Sequence, residues 1–201
     1  MNETVRAYDL DAASYAQGTS QMPDSVRADV EDYAARLGPG ARVLEIGSGG
    51  GRDARLMEEL GLTVRRTDIT PAFVTLLREQ GHEADLLDPL VDDLTSAAGE
   101  YDGVWANASL LHVRRDDLPT VLARLAAATR DGGLLRVSLK EGDGEGWSTH
   151  GSVRNPRHFT YWRAQPLREA FAGTGWTDVD IRSGIDGKRD ESWLEIAAVR
   201  R

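Results

Sequence analysis

The stretch Val43-Leu44-Glu45-Ile46-Gly47-Ser48-Gly49-Gly50-Gly51 constrains the fold more than any other part of this sequence. The apolar run from Ala41 to Ile46 reads as a buried strand, and the glycines that end it read as a tight turn. Asp53 to Leu60 follows as a helix with Leu56, Met57 and Leu60 on one face. A strand, glycine turn and helix in this order let backbone N–H groups and a helix N-terminus approach a ligand closely. A dinucleotide site would want a third glycine at the sixth position of G-x-G-x-x-G, for close helix–strand packing. Arg52 stands there. The spacing is instead Glu45-x-Gly47-x-Gly49-x-Gly51, with an acid two residues before the first glycine.

Strand and helix signals alternate onward from this point. Leu62–Thr67 reads as a second strand. Thr70-Pro71 opens a helix, Thr as cap and Pro at the first helical position, with Phe73, Leu76 and Leu77 as its apolar face and Gly81 as its end. Glu83–Leu87 and Tyr101–Asn107 are the next strands. Asp116–Arg130 has Leu118, Val121, Leu122 and Leu125 at helical spacing, and Asp131-Gly132-Gly133 leads into a strand at Leu134–Leu139. Glu141–Gly146 reads as a flexible acidic loop, and Pro166–Thr174 as a helix. Thr177–Arg182 and Trp193–Val199 close the chain as strands joined by a loop at Ser183–Arg189. Alternating strands and helices imply an α/β fold, a doubly wound, mostly parallel sheet covered on both faces. The last two strands must pair antiparallel if they are neighbours, giving an antiparallel C-terminal edge hairpin. Residues 1–40 form an N-terminal helical segment, including an amphipathic helix at Ser25–Leu37, and residues 41–201 form the sheet domain.

Composition narrows the function. The 201 residues carry a net charge of -9, the wrong sign for a protein that depends on attraction to a phosphate backbone, so no nucleic-acid partner is expected. Cysteine is absent, which removes disulfides, zinc–thiolate sites and cysteine nucleophiles. No apolar run reaches roughly 18 residues, and the N-terminus lacks a basic stretch before an apolar core. The expectation is a cytoplasmic protein without a membrane partner.

The motifs together resemble those of class I S-adenosylmethionine-dependent methyltransferases, a family with a Rossmann-like sheet. The Glu45–Gly51 segment is similar to the family's first motif. Asp68 matches the acid that holds the ribose hydroxyls, with Ile69 beside it. Asp85-Leu86 matches the pair that contacts adenine. Tyr101–Asn107, followed by Ser109-Leu110-Leu111-His112, is similar to the fourth strand and its loop, and Arg130–Leu134 to the glycine turn before the fifth strand. The resemblance implies S-adenosyl-L-methionine as cofactor, S-adenosyl-L-homocysteine as product, and a cofactor site drawn from Glu45, Gly47, Ser48, Gly49, Gly51, Asp68, Ile69, Asp85, Leu86, Ala106 and Asn107. Tyr15 and Arg52 are further candidates for the cofactor carboxylate.

Other uses of these residues stay open. Asp68 and Asp85 also read as solvated acids, the latter among Asp88, Asp92 and Asp93. Glu45 also reads as an internal brace for the glycine loop, and Arg52 as a solvated first-turn residue. His112 is the candidate general base, its ordinary pKa near 6.5 suiting that role, or else a packing residue. His150, His158, Tyr161 and Trp162 are candidate acceptor-binding residues, although Phe159, Tyr161 and Trp162 also read as core. Trp147 is expected to be exposed, and the N-terminal segment with Tyr8 and Tyr15 to fold over the cofactor or serve as an oligomer contact in a homodimer. The expected reaction is metal-independent, in-line transfer of a methyl group to an O or N atom of a small-molecule acceptor. Its rivals are an NAD(P)-dependent oxidoreductase, which Arg52 and the antiparallel ending oppose, and a catalytically silent S-adenosylmethionine-binding protein.

Overall fold

The sheet grows outward on both sides of the strand that precedes the glycine turn. The computed structural model describes residues 3–186 and 191–201. Strands β1 (Arg42–Ile46), β2 (Thr63–Asp68), β3 (Asp85–Leu86), β4 (Tyr101–Ala106), β5 (Thr129–Lys140), β8 (Trp176–Asp186) and β9 (Glu191–Arg200) form one sheet in the order β3-β2-β1-β4-β5-β9-β8. The first five pair in parallel, and β9 runs antiparallel to both β5 and β8. The fold is the doubly wound α/β sheet with an antiparallel edge that the sequence implies. The loop expected at Ser183–Arg189 is in part strand, because β8 continues to Asp186, and its residues 187–189 lie outside the described residues.

Period-two alternation assigns the two faces. Val43 and Trp105 point to the face covered by α2 (Asp24–Leu37) and α3 (Arg52–Glu59), where they pack with Val30, Tyr33 and Met57. Leu44, Ile46, Val104 and Ala106 point to the other, under α5 (Leu118–Ala127) and α6 (Ala164–Ala170). Helix α4 (Pro71–Glu79) contributes Val74 and Leu77 to a smaller cluster with Ala84. The helical N-terminal segment therefore divides. Helix α2 is part of the sheet's own core, whereas α1 (Glu3–Gly18) packs against α4 and β7 (Arg157–Thr160), beyond the strand ends.

Several boundaries differ from expectation. The helix expected at Asp116–Arg130 stops at Ala127, since Thr129 pairs with Tyr101 of β4. The Asp131-Gly132-Gly133 turn lies inside β5, where the β4–β5 register shifts between Tyr101 and Gly103 and Gly132 adopts φ +76°. The acidic loop is shorter than expected, because Glu145–Ser148 is a strand, β6, paired antiparallel with β7. Helix α6 begins at Ala164, with Pro166 in the first turn, where its missing N–H removes no helical bond. Thr70 makes no side-chain capping bond to α4; the Ala72 N–H is instead capped from another helix, by Asp9 Oδ1 of α1 at 2.8 Å. Among the described residues no helix is long and apolar enough to cross a membrane.

Candidate active site

The carboxyl ends of β1, β2 and β4 converge on one cleft, where ligands bind in open α/β sheets. Gly47 turns at φ +78° while its N–H and that of Ser48 both donate to the Thr67 carbonyl at 2.9 Å, tying the glycine turn to β2. A Cβ on Gly47 would meet the Ser109 Cβ at 2.4 Å, so the turn and the loop after β4 approach as closely as they do only because this residue is glycine.

Glu45 lies beneath the turn. It is buried, and its carboxyl is bonded by the Ser48 hydroxyl, which also accepts from the Thr67 N–H at 3.1 Å. Burial pushes its pKa up to about 8, and the neighbouring Asp53 carboxylate adds to this. Asp53 in turn accepts from Trp105 Nε1 at 3.1 Å and Asn107 Nδ2 at 2.8 Å, and pairs with Arg52 at 2.7 Å. Glu45 is thus placed to brace the loop from inside, one of the two uses left open for it. Asn107 belongs to the same buried network, with Ser138 donating to its Oδ1 at 2.6 Å. Arg52 is held by Asp53 and by the Thr19 carbonyl at 3.3 Å.

Asp68, at the end of β2, does face the cleft. Its oxygens accept from the Gly49 N–H at 2.9 Å and the Thr70 N–H at 2.8 Å, which fixes the carboxylate against the glycine turn. Each oxygen keeps a lone pair for a ligand donor such as a hydroxyl. Burial holds its pKa above the usual carboxylate range, with the two backbone N–H groups acting against that. Gly47, Gly49, Ile69 and Tyr15 line the same cavity, which has a volume of about 270 Å³ and runs on to His112 and Tyr8. Helix α1 covers it, and Tyr8 and Tyr15 pack on Phe73 with ring centroids 6.0 and 5.8 Å apart.

At the far end His112 is fully engaged. Its Nδ1 lies 2.5 Å from the His158 carbonyl, which can only accept, so Nδ1 carries the hydrogen. Its Nε2 then accepts from the Tyr8 hydroxyl at 2.9 Å, and Tyr8 accepts from Arg157 Nη1 at 2.9 Å. Burial drives the His112 pKa down to about 3, helped by the positive charge of Arg157, while the His158 carbonyl acts the other way. Burial raises the Tyr8 pKa, so the phenol stays protonated.

The remaining candidates lie elsewhere. Asp85, expected at adenine, turns away because Arg65 takes its carboxylate at 2.7 Å, and Leu86 projects outward; the cleft wall at this level is Leu87, Asp88, Pro89 and Leu90. Ser48, Gly51 and Ala106 support the turn and strand from behind without lining the cavity. None of the four acceptor candidates lines it either. His150 pairs with Glu191, Trp162 is buried under the Arg115 guanidinium, and Tyr161 and Phe159 pack together. His158 reaches the site only through its carbonyl, while its ring meets Trp147, which is exposed as expected although it sits on a strand. The cavity near His112 is lined instead by Val5, Tyr8, Leu110 and Val113. Tyr8 carried a signal in the sequence as part of the covering segment; Arg157 carried none.

A family model described as a methyltransferase domain matches residues 19–181. The chain belongs to this methyltransferase family. It is the class I S-adenosylmethionine-dependent family that the motifs resemble, and α1, which bears Tyr8 and Tyr15, lies ahead of the matched region. Among curated relatives, the ubiquinone biosynthesis O-methyltransferase of Xanthomonas axonopodis pv. citri is 36% identical over 115 residues, 54% of this chain and 47% of that protein. The matched part is thus about half of the relative's length. Two solved structures share the fold. The Burkholderia thailandensis 1,6-didemethyltoxoflavin-N1-methyltransferase, with bound 1,6-didemethyltoxoflavin and S-adenosylhomocysteine, has a TM-score of 0.72 at 23% identity, covering 98% of this chain and 89% of that one. The magnesium protoporphyrin IX methyltransferase of Synechocystis PCC 6803 with bound S-adenosylmethionine has a TM-score of 0.67 at 17% identity, covering 98% and 95%.

Proposed function

We propose that this methyltransferase moves a methyl group from S-adenosylmethionine to an O or N atom of a small-molecule acceptor by in-line, metal-independent displacement. The observation that carries the reading is Asp68. A buried carboxylate fixed by two backbone N–H groups beside Gly47 and Gly49 suits the hydroxyls of a nucleoside, and it would repel a pyrophosphate. When bound, the cofactor supplies an electrophilic methyl group on a cationic sulfur. Gly47, Gly49, Asp68, Ile69 and Tyr15 are assigned to hold it, and Val5, Tyr8, Leu110 and Val113 to enclose the acceptor. Helix α1 and the Tyr8–Tyr15–Phe73 cluster keep the cleft dry, and holding two reactants in near-attack geometry supplies roughly 7–11 kcal/mol.

His112 serves in this reading as the acceptor of the Tyr8 hydrogen bond. With its pKa near 3, holding a proton on the ring at pH 7 would cost about 5 kcal/mol, so His112 orients Tyr8 and does not store the acceptor's proton. A small acceptor is favoured over nucleic acid by the net charge of -9. The test is transfer of labelled methyl from S-adenosylmethionine into a panel of aromatic hydroxyls and ring nitrogens. Labelled product from at least one, lost in Tyr8→Phe, supports the assignment. Binding of S-adenosylhomocysteine with no transfer to any class of O or N acceptor would overturn it.

A further inference from the structure

Arg157 opens β7 and is buried, yet among the described residues no carboxylate pairs with it. A buried guanidinium is expected to find such a partner. Its bonds go instead to neutral groups: Nη1 donates to the Tyr8 hydroxyl at 2.9 Å and Nη2 donates to the His150 carbonyl, while Nε is buried with no partner among the described residues. The charge rests on two aromatic faces, with Cζ 5.2 Å from the Tyr8 ring centre and 5.0 Å from that of Phe159. Hydrogen bonds then run in one direction, from Arg157 to Tyr8, from Tyr8 to His112, and from His112 to the His158 carbonyl. The chain starts at a group that can only donate and ends at one that can only accept, so every proton between them has one place to be.

The same segment grips α1 at two further points. The Arg154 guanidinium and N–H both bond Asp11, and the His158 N–H donates to Thr4 Oγ1 at 2.9 Å. Residues 4, 8 and 11 share one face of the helix, so residues 154–158 hold α1 along a single stripe.

We propose that Arg157 is a positioning residue for methyl transfer: it holds the Tyr8 hydroxyl on His112 Nε2 and holds α1 closed over the cleft. This rests on the reading of the cleft as the methyl-transfer site. A charge that no carboxylate among the described residues compensates is what distinguishes it from a packing residue, because an uncharged side chain of the same length would fill the space without polarising the Tyr8 hydroxyl toward His112.

The experiment compares the full-length wild type with Arg157→Met, Arg157→Lys, Tyr8→Phe and Arg154→Gln, each checked for folding by circular dichroism. The readouts are the His112 ring-nitrogen spectrum, S-adenosylhomocysteine affinity by calorimetry, and proteolysis within α1. The wild type should show one neutral tautomer with hydrogen on Nδ1. Arg157→Met should keep the Nδ1–H tautomer but move the His112 Nε2 resonance toward that of a nitrogen without a donor, weaken S-adenosylhomocysteine about tenfold and speed cleavage in α1. Arg157→Lys, keeping charge without the planar fork, should fall between, and Tyr8→Phe should reproduce the Nε2 shift with Arg157 intact. Arg154→Gln should loosen α1 and leave the His112 Nε2 resonance alone. A folded Arg157→Met or Arg157→Lys with the wild-type His112 spectrum overturns the inference, as does a Tyr8→Phe spectrum like the wild type's if neither Arg157 variant folds. Failure of the wild type to bind S-adenosylhomocysteine would instead sink the methyl-transfer reading, and the His112 spectra would still decide the role of Arg157.

Discussion

Replacing Glu45 with Gln should remove a pH dependence built into the floor of the cleft. Glu45 is 2% exposed, and its carboxyl sits at about 8 against 4.5 in an unfolded chain, chiefly through burial and then through the Asp53 carboxylate. The folded state therefore keeps a proton that the unfolded state loses between these values. By linkage, the stabilisation from Glu45 is fully present below pH 4.5 and is lost as the pH rises through about 8. At 1.36 kcal/mol per pH unit, the difference is up to about 5 kcal/mol. Gln is neutral throughout and still offers the Ser48 hydroxyl an acceptor oxygen. Urea and thermal unfolding of both proteins from pH 5 to pH 9 should give curves that diverge up to about pH 8 and then run parallel, the variant gaining on the wild type as pH rises. At about 2–4 °C per kcal/mol, the separation in thermal midpoint should approach 10–20 °C at the alkaline end. Curves that stay parallel across that range would refute the placement of Glu45 as a buried, protonated brace.

The other predictions concern neighbouring parts of the site. His112 is depressed to about 3, so its contribution is present above pH 6.5 and lost as pH falls toward 3; His112→Gln should flatten the acid limb of the stability profile, read by the same unfolding series. Asp68→Ala strands the Gly49 and Thr70 N–H groups and should cost about 2–4 kcal/mol of stability, together with a fall of at least about tenfold in S-adenosylhomocysteine affinity by calorimetry. Gly47→Ala forces a Cβ to 2.4 Å from that of Ser109 at φ +78° and should destabilise by about 2–4 kcal/mol in thermal melts. Gly146→Ala, where a Cβ meets nothing within 4 Å, should stay within about 0.5 kcal/mol of the wild type.

Much of the sheet was legible because its strands are bounded by local signals: the apolar run before Gly47, the Thr70-Pro71 helix start, the two late strands around a glycine. Gly47, Gly49 and Asp68 could be placed for the same reason, since each sits at the end of a strand whose identity is local. What escaped depends on contacts between distant residues. Asp85 lay in an acid-rich stretch, and its fate was decided by Arg65, 20 residues away on the neighbouring strand β2. Strand β6 has neither β-branched residues nor an apolar alternation; its partner β7 makes it a strand, and that hairpin draws Phe159 and Trp162 into the core and leaves His150 and His158 off the cleft. The Tyr8–Arg157 contact spans 149 positions and has no local signature at all.

The central claim is that this cleft holds an adenosyl sulfur compound, and thermal unfolding with S-adenosylmethionine, S-adenosylhomocysteine, NAD and NADP offered separately tests it most directly. A ligand at about 100 times its dissociation constant stabilises the native state by about 2.7 kcal/mol, roughly 5–10 °C for a chain of this size. The account predicts that shift with the two adenosyl sulfur compounds, none with either nicotinamide nucleotide, and its loss in Asp68→Ala. A shift with NAD or NADP alone would contradict it.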